Sequence, residues 1–132
     1  MPNVSLVATL VGTVLGFGLG ALWYGPLFGK TWMAAVGLTP ETIRRDMNPG
    51  RTYGTTFVLA FIACYALGLY LGPNPGRAFA IVAGAAAGLG LVATSLATND
   101  LFEGRSVTLM LINGGYHTVR FALFGLAYAL LG

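Results

Sequence analysis

Four polar side chains share one face of a long apolar segment in the last quarter of the chain. At 100° per residue they fall within a stripe about 100° wide, and we call them the polar seam: Asn113, Tyr116, His117 and Arg120. Arginine brings five fixed N–H donors, asparagine and tyrosine donate and accept, and histidine exchanges a proton near neutral pH. This combination could bind an anion or a carboxylate, with His117 as a proton acceptor.

Arg120 is the member of the seam that most needs an explanation. If Ser106 caps a helix, Arg120 lies about fourteen residues along it, or roughly 21 Å, which is near the middle of a bilayer. A charge at that depth costs about 2.5 to 3.5 kcal/mol on insertion scales. No acidic residue lies within the apolar segments, so Arg120 has no carboxylate at its own depth. Thr13 and Tyr65 lie at about the same depth by residue count, and we expect them to join the seam.

Two interpretations of the seam remain open from the sequence. In the first, it provides hydrogen bonds between helices and Arg120 extends its side chain outward. In the second, it lines a small polar cavity that binds or passes an anionic or polar solute. A metal site is not expected, because one histidine offers too few ligands. No catalytic residue or cofactor is assigned, because no nucleophile is paired with a base, and an enzyme is the third, least favoured class.

The composition indicates a membrane protein. Of 132 residues, 56% are hydrophobic and only 8% are charged, and the mean hydropathy is +0.77. A soluble domain carries roughly a quarter charged residues. The net charge of +3 comes from basic residues spread over connectors rather than from one basic face with aromatic residues, so no nucleic-acid partner is expected. Cys64 is the single cysteine and forms no disulfide within the chain.

Four apolar runs are long enough to cross a bilayer. The predicted spans are residues 4–24, 53–71, 78–97 and 107–131. A Gly-Pro-Asn-Pro-Gly turn at residues 72–76 returns the third span antiparallel to the second. The chain is therefore predicted to be all-α, a single transmembrane domain over residues 1–132 that folds as a membrane-spanning four-helix bundle of two antiparallel hairpins. The first run is too long for a signal peptide and is expected to stay in the mature protein.

The connector over residues 26–51 is predicted to contain two short helices. One covers Lys30–Val36 and ends at Gly37; the other covers Pro40–Met47 after the N-cap Thr39. Both contain apolar residues beside basic ones, which suits helices that lie in the membrane interface: Trp32, Met33, Val36 and Ile43 beside Lys30, Arg44 and Arg45. An ordinary basic loop is the alternative. The connector between the third and fourth spans, residues 98–106, is predicted to be polar and non-helical until the N-cap Ser106.

Basic residues also predict the orientation. The connectors after the first and third spans contain Lys30, Arg44, Arg45, Arg51 and Arg105. Because short cytoplasmic loops are enriched in lysine and arginine, we expect these connectors in the cytoplasm and both termini on the opposite side of the cell inner (plasma) membrane. Trp23, Tyr24 and Trp32 are then expected at headgroup level.

A cytoplasmic rim is predicted at the connector ends of the helices. Its residues are Lys30, Asn99, Asp100, Glu103 and Arg105. The basic members Arg105 and Lys30 are the expected partners of the two acids.

Small residues at four-residue intervals predict close helix packing. The glycines concerned are Gly12, Gly16 and Gly20 in the first span, Gly68 in the second, and Gly84 and Gly88 in the third. These small residues form a groove along one face of each of the three spans, which is more than two hairpins need for their own packing. A homo-oligomer or a larger membrane complex is therefore expected, in contact with membrane lipid. The alternative function is therefore a structural or accessory subunit that performs no transport or catalysis.

Three segments resemble a known family. They read GALWYGPLFGKTW at residues 20–32, NDLFEGR at residues 99–105 and LINGGYH at residues 111–117. They are similar to the bacterial membrane proteins grouped as domain of unknown function 1761, and the likeness covers nearly the whole chain. The resemblance implies about four spans and supplies no activity. It also implies that any shared site lies at the facing ends of the first, third and fourth helices.

Overall fold

The computed structural model describes residues 4–132, and this part of the chain is helical without any strand. The helices are α1 Leu6–Leu22, α2 Gly29–Val36, α3 Pro40–Asp46, α4 Pro49–Leu71, α5 Arg77–Ala87, α6 Thr94–Phe102 and α7 Val107–Leu131. Two π-helical segments interrupt this pattern. Trp23–Leu27 continues α1, and Gly88–Ala93 joins α5 to α6. The all-α prediction is confirmed.

Local capping explains where most helices begin and end. The side chains of Ser5, Thr39, Asn48 and Ser106 each accept a hydrogen bond from the backbone N–H three residues further on. Pro40 and Pro49 occupy first-turn positions, where a missing N–H is harmless. Gly37, with φ 76°, ends α2.

Three helical segments extend beyond the predicted spans. The first continues to Leu27 rather than ending near residue 24. Helix α4 begins at Pro49 rather than near residue 53, because Asn48 and Pro49 act as N-cap and first residue instead of as a loop. The third helical segment continues to Phe102 rather than to residue 97. There the Thr98 hydroxyl donates to the Thr94 carbonyl at 2.8 Å, so its polar group is satisfied within the helix, and Gly104 with φ 73° makes the turn beyond it.

Three helical segments are long and apolar enough to cross a membrane. They are Leu6–Leu27, Pro49–Leu71 and Arg77–Phe102, of 22, 23 and 26 residues. Helix α7 has 25 residues but is not among them in the part of the chain that the structure describes. Asn113, His117 and Arg120 lower its hydropathy.

Helix α7 is the centre of the packing. It runs antiparallel to α1, with Gly16 against Arg120 and Gly20 against Tyr116, and antiparallel to α5, with Gly84 against Phe121. Helix α4 packs mainly on α1, and α4 and α5 make little contact with each other. The predicted bundle of two hairpins is not confirmed. The third and fourth spans do pack together, but α4 and α5, which the turn at residues 72–76 joins, do not pack closely on each other.

The apolar core lies at the end of the molecule away from the connector. Its buried residues include Ala8, Cys64, Leu67, Leu71, Ala80, Phe121, Phe124 and Tyr128. Phe124 is fully buried. Arg120, the last residue of the polar seam along the chain, lies one turn of α7 before Phe124. It therefore lies where the apolar half of the molecule meets its more polar half.

Candidate functional site

Arg120 lies against a glycine of α1 and beside three aromatic rings. A Cβ atom placed on Gly16 would be 2.9 Å from Arg120 Cγ, so glycine at that position leaves room for the side chain. The guanidinium carbon is 5.5 Å from the ring centroid of Tyr116 and 5.3 Å from those of Phe121 and Phe124. These distances are within the range of cation–π attraction.

Arg120 has no acidic partner in the structure. Among residues 4–132 the ion pairs are Arg45–Asp46 at 3.1 Å and Arg105–Glu103 at 3.6 Å, both outside the long apolar segments. The Nε atom of Arg120 is buried and has no hydrogen-bond partner in the same part of the chain. The guanidinium is thus flanked by ring faces that attract a cation, and its Nε donor is left without a partner in the described residues.

Hydrogen bonds connect the end of α1 to the seam. Trp23 Nε1 donates to the carbonyl of Ile112 at 2.9 Å, and the Tyr24 hydroxyl donates to Asn113 Oδ1 at 2.6 Å. The Tyr116 hydroxyl donates to the Gly16 carbonyl at 3.1 Å. The sequence analysis missed Trp23 and Tyr24 as partners of the seam. Their polar tips point to α7, and the only signal was their place in a family-like segment.

Both π-helical segments contact the seam region of α7. Trp23–Leu27 supplies the two donors to Ile112 and Asn113. On the other side, a Cβ atom on Gly88 would lie 2.5 Å from the His117 carbonyl oxygen. Such π-helical turns are rare and occur frequently at functional sites. Residues 112–118 of α7 are therefore contacted on two sides by segments that depart from regular α-helical geometry.

His117 is partly buried on α7. Its ring packs edge-on against Tyr116 with 5.0 Å between centroids. Its Nδ1 atom is buried and has no hydrogen-bond partner within residues 4–132. His117 therefore has a ring nitrogen available beside the seam.

Thr13 and Tyr65 are placed differently from each other. Thr13 is fully buried one turn before Gly16, and its hydroxyl donates to the Thr9 carbonyl at 2.7 Å. Tyr65 is partly buried on α4, and in the described range of 4–132 it makes no hydrogen bond or ring contact with the seam. Its neighbour Cys64 faces the bundle instead. Depth along a helix does not determine which face a residue occupies.

The rim residues do not form one cluster. Arg105 Nε lies 3.6 Å from Glu103 Oε2, whereas Lys30 and Asn99 are exposed. Asp100 is only 9% exposed, and its Oδ2 atom has no hydrogen-bond partner within residues 4–132. Its carbonyl accepts a hydrogen bond from the Arg105 backbone N–H at 2.8 Å.

The glycines named from spacing all face another helix. A Cβ atom on Gly12 would lie 2.8 Å from Cys64 Sγ, and one on Gly20 would lie 3.1 Å from the Tyr116 hydroxyl. The corresponding neighbours of Gly68, Gly84 and Gly88 are Tyr128, Phe121 and His117. By contrast, Gly18 and Gly90 have nothing within 4 Å.

Over residues 4–132 no group of three His, Cys, Asp or Glu side chains could hold a metal ion.

The apolar helices and the inward-facing polar seam define a helical membrane protein. More specifically, the chain belongs to the family described as protein of unknown function (DUF1761), whose sequence pattern matches residues 7–129, and the predicted resemblance is confirmed. No curated protein and no solved structure matches the chain. The family description carries no activity, so the function is argued from the site.

Proposed function

We propose that the protein is a membrane protein that binds or passes a small anionic solute at the polar seam. The observation that carries this proposal is Arg120: a largely enclosed guanidinium without a carboxylate partner and with an unpartnered Nε atom. An intramembrane charge is costly, so it is normally paired or functional. An anion bound there would supply the missing partner.

The proposal takes α7 as a fourth membrane span. Its polar face is turned to α1 and to the π-helical segment that continues α1, so it is shielded from lipid although the overall hydropathy of α7 is lower. Polar residues are tolerated in a span when they face the interior of the bundle. With four spans and the basic connectors in the cytoplasm, both termini lie on the opposite side of the plasma membrane.

A carboxylate or another small oxyanion suits the groups present. A guanidinium can donate two parallel hydrogen bonds to such a group. The Arg120 guanidinium lies beside the Tyr116 ring, whose centroid is 5.5 Å from its carbon atom, and His117 is one helical turn away on the same face. The three rings around the guanidinium hold it in place before the anion arrives, which reduces the entropy lost on binding.

The test is anion-dependent thermal stability of the purified protein in detergent. We would compare sodium formate, acetate, phosphate and sulfate at one ionic strength. A ligand at one hundred times its Kd stabilises the folded state by about 2.7 kcal/mol, so a saturable rise in melting temperature is expected for at least one of these anions. Arg120→Met should abolish the rise, and Arg120→Lys, which keeps the charge without the fork, should weaken it.

Arg77→Met provides the matched control, because Arg77 is an exposed cation at the start of α5. It should leave the anion-dependent rise unchanged. The proposal fails if none of the four anions stabilises the wild-type protein, or if Arg120→Met responds as the wild type does.

A structural or accessory subunit is the second candidate, favoured by an open groove between α4 and α5. This groove, with a volume of about 520 Å³, is lined largely by small residues such as Ala63, Ala83 and Ala87. Small residues let a helix of another chain approach closely. Filling the groove with Ala83→Leu should then reduce the oligomer mass measured in nanodiscs, while Arg120→Met should not. An unchanged mass for Ala83→Leu would contradict this candidate.

A further inference from the structure

Two cavities on the connector side of the molecule share part of their walls. The first, the connector groove, has a volume of about 840 Å³ and lies between α2, α3 and the first turns of α4, with Trp32, Ile43 and Arg51 in its lining. The second, the helix groove, has a volume of about 500 Å³, lies between α1 and α4, and reaches Gly20 and Tyr116. Both cavities share four lining residues, Tyr24, Thr52, Tyr53 and Thr56. The two cavities therefore adjoin at these residues, and together they outline a path from the connector side to Tyr116.

The residues that α4 contributes to this path are more polar than the neighbouring surface of α4. Thr52 and Thr55 are exposed and line the connector groove, and Thr56, which lines both grooves, donates its hydroxyl to the Thr52 carbonyl at 2.7 Å. Val58 and Ile62, further along α4 and outside both linings, are each 57% exposed and apolar, as expected for a surface that faces lipid. Hydroxyl groups gain hydrogen bonds from water that hydrocarbon cannot provide. The contrast favours water rather than acyl chains in the path.

The charge at the mouth of the path favours anions. Arg51 lines the connector groove and has no ion-pair partner among residues 4–132. Asp46 lines the same groove, but Arg45 pairs with it at 3.1 Å and offsets its charge. The mouth is therefore net positive. A groove of one charge sign raises the local concentration of the opposite ion and speeds its arrival.

We infer that the connector groove and the helix groove together form a water-filled path along which small anions reach the polar seam from the connector side. Its inner end is Tyr116, whose ring lies 5.5 Å from the Arg120 guanidinium carbon. Arg51 is the outer cation that attracts the anion, and Arg120 is the inner one that binds it. The identity of the cargo rests on the proposed function, whereas water in the path can be measured without it.

The experiment uses thiol modification in phosphatidylcholine vesicles. Cys64→Ala removes the single cysteine, and Thr56→Cys or Ala21→Cys then places a thiol in the path. Val58→Cys is the matched control on α4. The probes are two small methanethiosulfonates, one carrying a sulfonate and one a trimethylammonium group, and each rate is divided by that for a free thiol in solution.

We expect both thiols in the path to react at least ten times faster than the thiol at residue 58. The sulfonate reagent should react faster than the cationic reagent, and Arg51→Gln should reduce its rate by about three- to tenfold while hardly changing the cationic rate. Arg44→Gln, an exposed cation outside the groove lining, should leave both rates unchanged. These results together would support the inference.

The inference is overturned if the path thiols react no faster than the control thiol. It is also overturned if only an uncharged, lipid-soluble maleimide labels them, since acyl chains would then fill the path. Arg120→Met separates this inference from the proposed function, because it should abolish anion-dependent stabilisation and leave the labelling rates unchanged. Normal labelling without any stabilisation by anions would reject the binding site and keep the path.

Discussion

The contact between Gly88 and α7 allows a quantitative prediction for Gly88→Ala. The added methyl group would lie 2.5 Å from the His117 carbonyl oxygen, 2.8 Å from Thr118 Cα and 2.9 Å from Phe121 Cβ. None of these atoms can rotate away, because they belong to the backbone or are fixed directly to it. Ordinary contact begins at 3.4 Å, so the two helices must separate by roughly 0.9 Å or rearrange. Overpacking of this kind typically costs about 1 to 3 kcal/mol.

Gly90→Ala is the matched control for this prediction. Gly90 lies in the same π-helical segment and has nothing within 4 Å. Alanine gains about 0.5 to 1 kcal/mol over glycine within a helix, and this gain is similar for both variants. The difference in their free energies of unfolding therefore isolates the contact, and we expect Gly88→Ala to be less stable than Gly90→Ala by about 1 to 3 kcal/mol.

The assay is unfolding in mixed detergent micelles by increasing mole fraction of sodium dodecyl sulfate. Tryptophan fluorescence reports the transition, because the Trp23 ring packs 4.8 Å from that of Phe28 and 6.5 Å from that of Tyr116, and the Trp32 ring packs 5.7 Å from that of Tyr24. Equal stability of the two alanine variants would refute the reasoning and show that α5 and α7 are not held at the separation described.

Two further predictions concern tyrosine hydroxyl groups. The Tyr128 hydroxyl donates to the Cys64 carbonyl at 2.8 Å, so Tyr128→Phe should lower the free energy of unfolding by about 1 to 3 kcal/mol. The control Tyr65→Phe should change it by less than about 0.5 kcal/mol. Equal effects of the two substitutions in chemical unfolding would contradict this prediction. Tyr24→Phe removes the 2.6 Å bond to Asn113 and should cost about 0.5 to 1.5 kcal/mol in the same assay, and a stability equal to the wild type would show that this bond is not formed.

Local features were predictable because neighbouring residues determine them. The N-caps Thr39 and Ser106 and the C-cap Gly37 lie where the sequence predicted them. Each depends on a side chain or a φ angle within a few residues of the helix end. The start of α4 was placed too late, since Asn48 followed by Pro49 has the same residue types as a loop and as a capped first turn.

Long-range pairing was not predictable in the same way. Tyr24 and Asn113 are 89 positions apart, and residue counts give depth in a membrane without giving the direction of a side chain. For the same reason Tyr65 was expected beside Arg120, although Cys64 is the residue of that turn that faces inward. The π-helical segments also shift helix faces, and the glycines within Gly88–Ala93 gave no sign of that geometry.

The π-helical segment Gly88–Ala93 also changes the angular phase of the helix that contains it. A π-helical turn accommodates about one residue more than an α-helical turn, and one residue corresponds to about 100° of rotation. The side chains of α6 therefore point in different directions from those they would have if α5 continued into α6 as a regular α-helix. Deleting Gly90 would undo this offset and rotate Asp100, now 9% exposed, out of its present enclosure. The extra residue in this π-helical turn thus determines the direction in which the Asp100 side chain points near the end of α6.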